Sequence, residues 1–317
     1  MTAGDVVLTG GSGLIGGRLA QRLREAGRGV RFLTRDPTRI ALRGGDRAFG
    51  WDGVHVEAQW LDGAEAVVHL AGEPIFGGLP TAARRERIWS SRVDGARSLV
   101  NALAALPPER RPRTLVCGSA SGYYGDSGDD EIDEREPPGP GFLAELCRDW
   151  EAEAARAREH GVRVCSLRFG VVLARQGGAL ALMLPIYRVG LGGAIGGGRQ
   201  WFPWIHVDDC ARLAELALER DGVSGPLNCA APGCVRNAEF NAALARALHR
   251  PAFFAVPAFA VRVVLRDVAP ALLSSLRLVP AAALKAGFVF RYPTLEAALA
   301  EIVSTRTAPE TARAAHP

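Results

Sequence analysis

Lysine is all but missing from this 317-residue sequence. Lys285 is the only one, so arginine carries almost the whole positive charge. Blocks of like charge are missing too. The net charge is +4 and the isoelectric point about 8.9, but arginines sit beside acids, as in Arg22-Leu23-Arg24-Glu25 and Glu153-Ala154-Ala155-Arg156. That pattern argues against a nucleic-acid-binding face. The apolar runs near 179–186 and 252–265 are broken by Pro or Arg and are too short to span a bilayer, so no membrane partner is expected. The six cysteines (Cys117, Cys147, Cys165, Cys210, Cys229 and Cys234) form no C-x-x-C pair. Buried free thiols are expected, with neither disulfides nor a metal site. Met1–Asp5 carries no cationic leader, and a cytoplasmic location is the expectation. Internal repeats are absent.

What is present is an alternation of short apolar runs with longer amphipathic ones. Strands are predicted at Asp5–Thr9, Gly29–Thr34, Ala66–Leu70, Arg113–Gly118, Val162–Phe169 and Ser224–Ala230. Helices are predicted at Gly13–Ala26, Arg84–Leu106, Gly141–His160 and Val207–Leu218. This order argues for an α/β fold, a doubly wound parallel (Rossmann) sheet covered on both faces. After Phe169 the pattern changes to a glycine-rich stretch over 174–203, and 236–303 is mainly helical with scattered prolines. The expected division is a dinucleotide-binding domain over 1–169 and 204–231. A smaller, discontinuous, mainly helical C-terminal substrate lobe takes 170–203 and 232–303, and a frayed tail covers 304–317.

Thr9 is followed by Gly10-Gly11-Ser12-Gly13-Leu14-Ile15-Gly16, between a strand and a helix. In that context the first glycine permits the tight turn, the second lets backbone approach a pyrophosphate, and the third lets helix and strand pack closely. The helix N-terminus adds unpaired N–H groups and a positive dipole end. A glycine turn without ligand is the bland alternative. The second strand ends in Thr34, not an acid, and Arg35 follows it, with Arg39 one turn further on. An acid at that position would hold the ribose 2′-OH of NAD, whereas arginine suits a 2′-phosphate. NADP(H) is therefore expected ahead of NAD(H), with Asp36 as a neighbour able to pair with Arg35 and blunt the site.

On these residues the chain resembles the extended short-chain dehydrogenase/reductases, the epimerase/dehydratase group. Thr9–Gly16 matches its T-G-x-x-G-x-x-G, and His69-Leu70-Ala71-Gly72 the segment after its fourth strand. Ser119-Ala120-Ser121-Gly122-Tyr123-Tyr124-Gly125 sits where the group has S-S-x-x-V-Y-G. Ile205-His206-Val207-Asp208-Asp209 and Asn228–Pro232 match its late motifs. Within the group it is similar to the small epimerase family proteins that carry a C-terminal domain of their own. Ser91-Arg92, Trp150-Glu151, Arg168–Leu173, Gly190–Gly193, Gln200–His206 and Ala286–Pro293 carry that likeness. The resemblance implies an NADP-dependent oxidoreductase or epimerase acting on a small polar, sugar-like substrate. It implies cofactor contacts from Gly10, Gly11, Ser12, Gly13, Leu14, Ile15, Gly16, Thr34, Arg35, His69, Leu70, Ala71, Arg92 and Arg168. A homodimer is the candidate assembly.

The superfamily's acid/base tyrosine is followed four residues later by a lysine that lowers the phenol pKa. Here the residues four places after Tyr123, Tyr124, Tyr187 and Tyr292 are Ser127, Gly128, Leu191 and Glu296. The helix where the pair should lie reads Phe142-Leu143-Ala144-Glu145-Leu146. Two readings follow. Catalysis has moved to Ser119, Tyr123 and Tyr124, with Glu134 or His206 assisting, or the site binds NADP(H) without turnover, as a sensor or regulator would. Arg168, at the end of a buried strand, is expected to meet a carboxylate or the ligand. His206 is expected to start a helix, and Gly196–Trp204 to form a flap over the cleft or a packed glycine turn.

Overall fold

The computed structural model describes residues 4–304, apart from 77, 79 and 80. Seven strands form one parallel sheet: β1 Val6–Thr9, β2 Val30–Thr34, β3 Arg47–Gly50, β4 Ala66–His69, β5 Thr114–Ala120, β6 Arg163–Phe169 and β7 Gly225–Cys229. Their order across the sheet is β7-β6-β5-β4-β1-β2-β3. The order reverses between β1 and β4, which opens a crevice at their carboxyl ends. Sequence periodicity missed β3, because Arg47-Ala48-Phe49-Gly50 is an edge strand with no buried residue.

Helices cover both faces, as the continuous apolar strands require. α1 (Leu14–Glu25) and α5 (Val207–Glu219) pack Leu19, Leu23, Leu213 and Ala217 against Val6, Leu8, Val68 and Leu167. On the other face, α3 (Val93–Ala104) and α4 (Phe142–Ala155) bring Leu99, Val100, Leu103, Leu146 and Trp150 onto Val7, Val67 and Leu115. Each such aliphatic side chain contributes about 1.5–3 kcal/mol on burial. The single long helix expected over 84–106 is two, α2 (Ala82–Ser90) and α3. At the break, Ser91 Oγ donates to Ile88 O and accepts from Glu73 N–H. A serine side chain competing for backbone groups explains the interruption.

A third cluster joins Leu173, Leu180, Leu184, Tyr187, Phe240, Leu244, Leu295 and Leu299, from the stretches assigned above to the second lobe, with Trp204. The last helix is Leu295–Ser304; the frayed tail expected beyond it lies outside the described residues. Five cysteines are buried, Cys234 is half-buried, and all six are free. None of the described helices is long and apolar enough to cross a membrane.

Candidate functional site

The glycine loop lines the crevice between β1 and β4. Gly10 has φ +71°, and a Cβ there would lie 2.8 Å from the Leu70 carbonyl carbon and 2.9 Å from Ala71 N. A Cβ on Gly16 would overlap the Gly10 carbonyl oxygen, and one on Gly11 would overlap the Phe32 ring. These three are glycines because the protein itself leaves no space. Gly13 differs. Its backbone is extended (φ −81°), it is exposed beside Ser12, and a Cβ there would meet only the Gly10 oxygen, at 3.1 Å. That contact is tight, but Gly13 is the least crowded of the four, so packing presses for glycine less at 13 than at 10, 11 or 16. Gly13 is also the N-cap of α1 and supplies no side-chain cap, so the first-turn N–H groups of α1, Leu14 and Ile15 included, have no side-chain acceptor at that cap.

At the end of β2, Asp36 does not pair with Arg35. It caps the following 3₁₀ turn, accepting from Thr38 N–H at 3.1 Å, and meets Arg39 Nε at 3.0 Å. That corrects the expectation that Asp36 could blunt the site. The Arg35 side chain is exposed and makes no hydrogen bond or ion pair among the described residues.

Thr9 stands opposite His69 in the register of β1 and β4. Its hydroxyl accepts from Leu70 N–H and Ala71 N–H, both at 3.1 Å, so its one proton goes to His69 Nδ1 at 2.9 Å. The imidazole is fully buried between Trp51 and Trp150. Burial, then the nearby Arg92 charge, pushes its pKa down to about 4. His69, expected to touch the cofactor, is thus a neutral internal brace that holds the Leu70-Ala71 backbone against Gly10. Arg92 lies below Gly72, where a Cβ would come within 2.9 Å of its Cζ. It donates to the carbonyls of Glu73 (2.9 Å) and Ile88 (3.2 Å) and has no carboxylate partner. Burial pushes its pKa down to about 10. The Ser91 hydroxyl and the Trp150 ring complete its surroundings, and a positive charge with no carboxylate partner among the described residues suits a nearby anion.

The carboxyl ends of β5 and β6 carry a second constellation. Arg168, 3 % exposed, makes a bidentate pair with Glu151 of α4, at 2.9 Å for both Nε and Nη2. Burial works against its charge, but the Glu151 pair outweighs it and holds the guanidinium above its ordinary pKa. Ser119 Oγ donates to the same carboxylate at 2.6 Å. Arg168 Nη1 donates to the Tyr124 hydroxyl at 2.8 Å, which donates onward to Asn228 Oδ1 at 2.7 Å. Burial pushes the Tyr124 phenol well above the usual tyrosine range, with Arg168 offsetting only part of that. The expectation that Arg168 meets a carboxylate is met, and four of its five N–H donors are engaged inside the protein. Ser119 and Tyr124, expected as catalysts, likewise have their hydroxyl protons committed inside the protein. Tyr123 is the half-buried member. Its ring lies 3.5 Å from Arg168 Cζ and edge-on to Tyr124.

Glu134 and His206 are structural. Glu134 accepts from the N–H groups of Asn228 (3.0 Å) and Ala282 (3.1 Å). His206 caps α5, its Nδ1 accepting from Asp208 N–H at 3.1 Å, as its place before Asp208-Asp209 foretold. The stretch 196–204 is the packed alternative rather than a flap. Gln200 Nε2 donates to Ile195 O at 2.9 Å, Trp201 N–H to Ser275 Oγ at 3.1 Å, and Trp204 is fully buried. Glu151 and Asn228 carried no assigned role in the sequence. Glu151 could have been inferred from the need of a buried Arg168 for a carboxylate one helix away. In the helix segment where the superfamily's pair was expected, Phe142 and Leu146 are buried in the core. Among the described residues no cluster of metal-ligating side chains occurs.

Comparison with known proteins places this geometry. Residues 6–230 match the NAD dependent epimerase/dehydratase family, and residues 256–302 match DUF1731, a domain of unknown function. The epimerase family protein SDR39U1 of Bos taurus is 40 % identical over 304 residues, covering 94 % of this chain and 99 % of that protein. Its chloroplastic homologue from Arabidopsis thaliana is 38 % identical over 301 residues, covering 94 % and 86 %. The crystal structure of human SDR39U1 (isoform2) with NADPH superposes with a TM-score of 0.86 at 36 % identity, covering 95 % of this chain and all of that one.

Proposed function

The chain belongs to the NAD dependent epimerase/dehydratase family, and from that premise we propose that it binds NADP(H) at the β1/β4 crevice and acts as an oxidoreductase or epimerase on a small molecule. The exposed Gly13 carries this reading, since it opens the loop to a ligand at the N-terminus of α1 and is less crowded by the protein than Gly10, Gly11 or Gly16. The pyrophosphate would rest on Gly10–Gly16 and the amides of α1, with Arg92 supporting it from below. Arg35 would hold the 2′-phosphate with Thr34 beside it. The NADPH-bound human relative supports the same preference. A nicotinamide held there supplies or accepts a hydride.

The proton chemistry falls to Tyr123. Arg168 stacks on its ring, and the Glu151–Arg168–Tyr124–Asn228 chain fixes Arg168 in turn. In this reading Ser119, Tyr124 and Glu151 are positioning residues. A second reading, an NADP(H)-responsive sensor without turnover, is favoured by the absence of a lysine four residues after any tyrosine and by the buried apolar Phe142 and Leu146 in the segment where the pair was expected. The smaller lobe, 170–203 with 232–303, would hold the substrate or partner.

Calorimetric titration tests the cofactor assignment. NADPH should bind well ahead of NADH, and Arg35→Ala should remove most of that gap, about 1.5–3 kcal/mol for a charge-assisted contact. Equal affinity of the native protein for the two cofactors would overturn the assignment.

A further inference from the structure

The helix Gly178–Arg188 is apolar on two sides. Leu180, Leu184 and Tyr187 turn into the third core cluster. Leu182, Pro185 and Ile186, with Val189 just past the helix end, are exposed and follow the spacing i, i+3, i+4, i+7. A surface helix ordinarily carries polar residues on that side. The chain after it runs beside a second exposed apolar stretch. Phe254 N–H donates to Gly192 O at 3.2 Å and Val256 N–H to Ala194 O at 2.9 Å, and a Cβ on Gly193 would overlap the Phe254 carbonyl oxygen. Phe253 is 86 % exposed and Phe254 55 %, and the helix Ala258–Leu265 continues the surface with Phe259 at 69 %. At about 150–250 Å² per ring, these three alone match the roughly 300–600 Å² of the largest apolar patch on a typical monomer. The aliphatic side chains carry the surface toward the roughly 800 Å² that one partner brings to a standard protein–protein interface.

Charge singles out the same surface. From Gly161 to Val207 and from Phe240 to Arg266 the sequence holds no Asp or Glu. Arg188, Arg250, Arg262 and Arg266 are exposed in these stretches, and none has a carboxylate partner among the described residues. Arg250 meets only the carbonyls of Arg188 and His249. Elsewhere arginines are commonly ion-paired, as Arg18, Arg22, Arg24 and Arg28 are.

We propose that this surface, the outer side of Gly178–Arg188 with the stretch 253–264, is a docking site for an acidic amphipathic helix of another protein. A helix is the occupant because the exposed stripe has helical spacing, so a helix laid along it meets an apolar side chain at every turn. Phenylalanine with arginine, and no Lys, Asp or Glu, is the composition of an interface core. Acids flanking the partner's apolar stripe would meet Arg188, Arg250 and Arg262. A second copy of this chain would set arginine against arginine across a two-fold contact, with no acid in either stretch to answer it. A bilayer is the poorer match, because the exposed rings are all phenylalanine, without the tryptophan and tyrosine that sit at a headgroup layer.

The probe is a peptide of about 20 residues, roughly 30 Å long as a helix, with leucine at i, i+3, i+4 and i+7 and glutamate and alanine elsewhere. Fluorescence anisotropy follows its binding to the full chain without nucleotide. It should bind with micromolar affinity, and a twin with lysine in place of glutamate should bind at least tenfold more weakly. Ile186→Ser and Phe253→Ser, both at exposed positions, should each weaken the acidic peptide about tenfold and leave the thermal melt unchanged. Arg188→Glu combined with Arg262→Glu should weaken the acidic peptide and strengthen the lysine twin. Failure of the native protein to bind the acidic peptide would overturn the proposal, as would equal binding of the two peptides or undiminished binding by Ile186→Ser and Phe253→Ser. Two further measurements can also overturn it. A native dimer in sedimentation that Ile186→Ser dissociates would give the surface to a second copy. Co-flotation with phosphatidylserine vesicles that Phe253→Ser abolishes would give it to a membrane.

Discussion

The ends of β1 and β2 and the ends of β5 and β6 lie on the same edge of one sheet but are finished in opposite ways. At the first pair, Gly13 stands open and Arg35 has no partner among the described residues. At the second pair, Ser119, Tyr124, Glu151, Arg168 and Asn228 answer one another's hydrogen bonds. Groups left open at a surface are meaningful only with a ligand, so changes there should alter binding and spare folding. A closed network in low dielectric should do the reverse, since each deletion strands a buried partner.

Glu151→Gln should therefore give the largest loss of stability. It leaves the buried Arg168 guanidinium without a countercharge, and breaking such a pair costs about 3–5 kcal/mol. Urea unfolding would show it, and a loss below about 1 kcal/mol would mean that the network is not closed as described.

The brace at the first site has its own signature in pH. His69 takes a proton near pH 6.5 when unfolded and only near 4 when folded. Between those values the unfolded chain binds more protons. The stabilisation is therefore complete above pH 6.5 and fades as pH falls toward 4. From pH 7 to pH 5 the native protein should lose roughly 2 kcal/mol more than His69→Asn. Parallel urea midpoints for the two proteins would contradict a neutral buried imidazole.

The two tyrosines sharpen the contrast within one loop. Tyr124→Phe removes a donor to Asn228 and an acceptor from Arg168, and should cost about 1–3 kcal/mol of stability. Tyr123→Phe should stay within about 0.5 kcal/mol of native, yet abolish any single-turnover oxidation of NADPH by a carbonyl substrate. Unchanged oxidation in Tyr123→Phe would take the proton role from Tyr123.

The first site was largely legible in the sequence because its requirements are local. The strand Val6–Thr9, the three spaced glycines and Arg35 sit within thirty residues and need no tertiary knowledge. The second site was legible only in part. Arg168 announced a carboxylate, but Glu151 lies on another element, and the inward turn of Tyr124 beside the half-buried Tyr123 depends on Asn228, 104 residues away. His69, the last residue of β4, was given a cofactor role by the family resemblance, and only the packing of Trp51 and Trp150 shows that its side chain is enclosed. The break at Ser91 was hidden because helical periodicity continues across it.

The central claim, that the β1/β4 crevice is a dinucleotide site, is tested most directly by titrating NADPH into native, Gly13→Val and Gly16→Val protein, with circular dichroism and thermal melts alongside. Gly13→Val should keep the native spectrum and melt only modestly below native, its Cβ tight against the Gly10 oxygen. It should lose measurable NADPH binding, because the rest of its side chain would stand where a pyrophosphate would rest. Gly16→Val should unfold or melt far below native, because its Cβ overlaps the Gly10 carbonyl. Undiminished NADPH binding by a well-folded Gly13→Val protein would contradict the account.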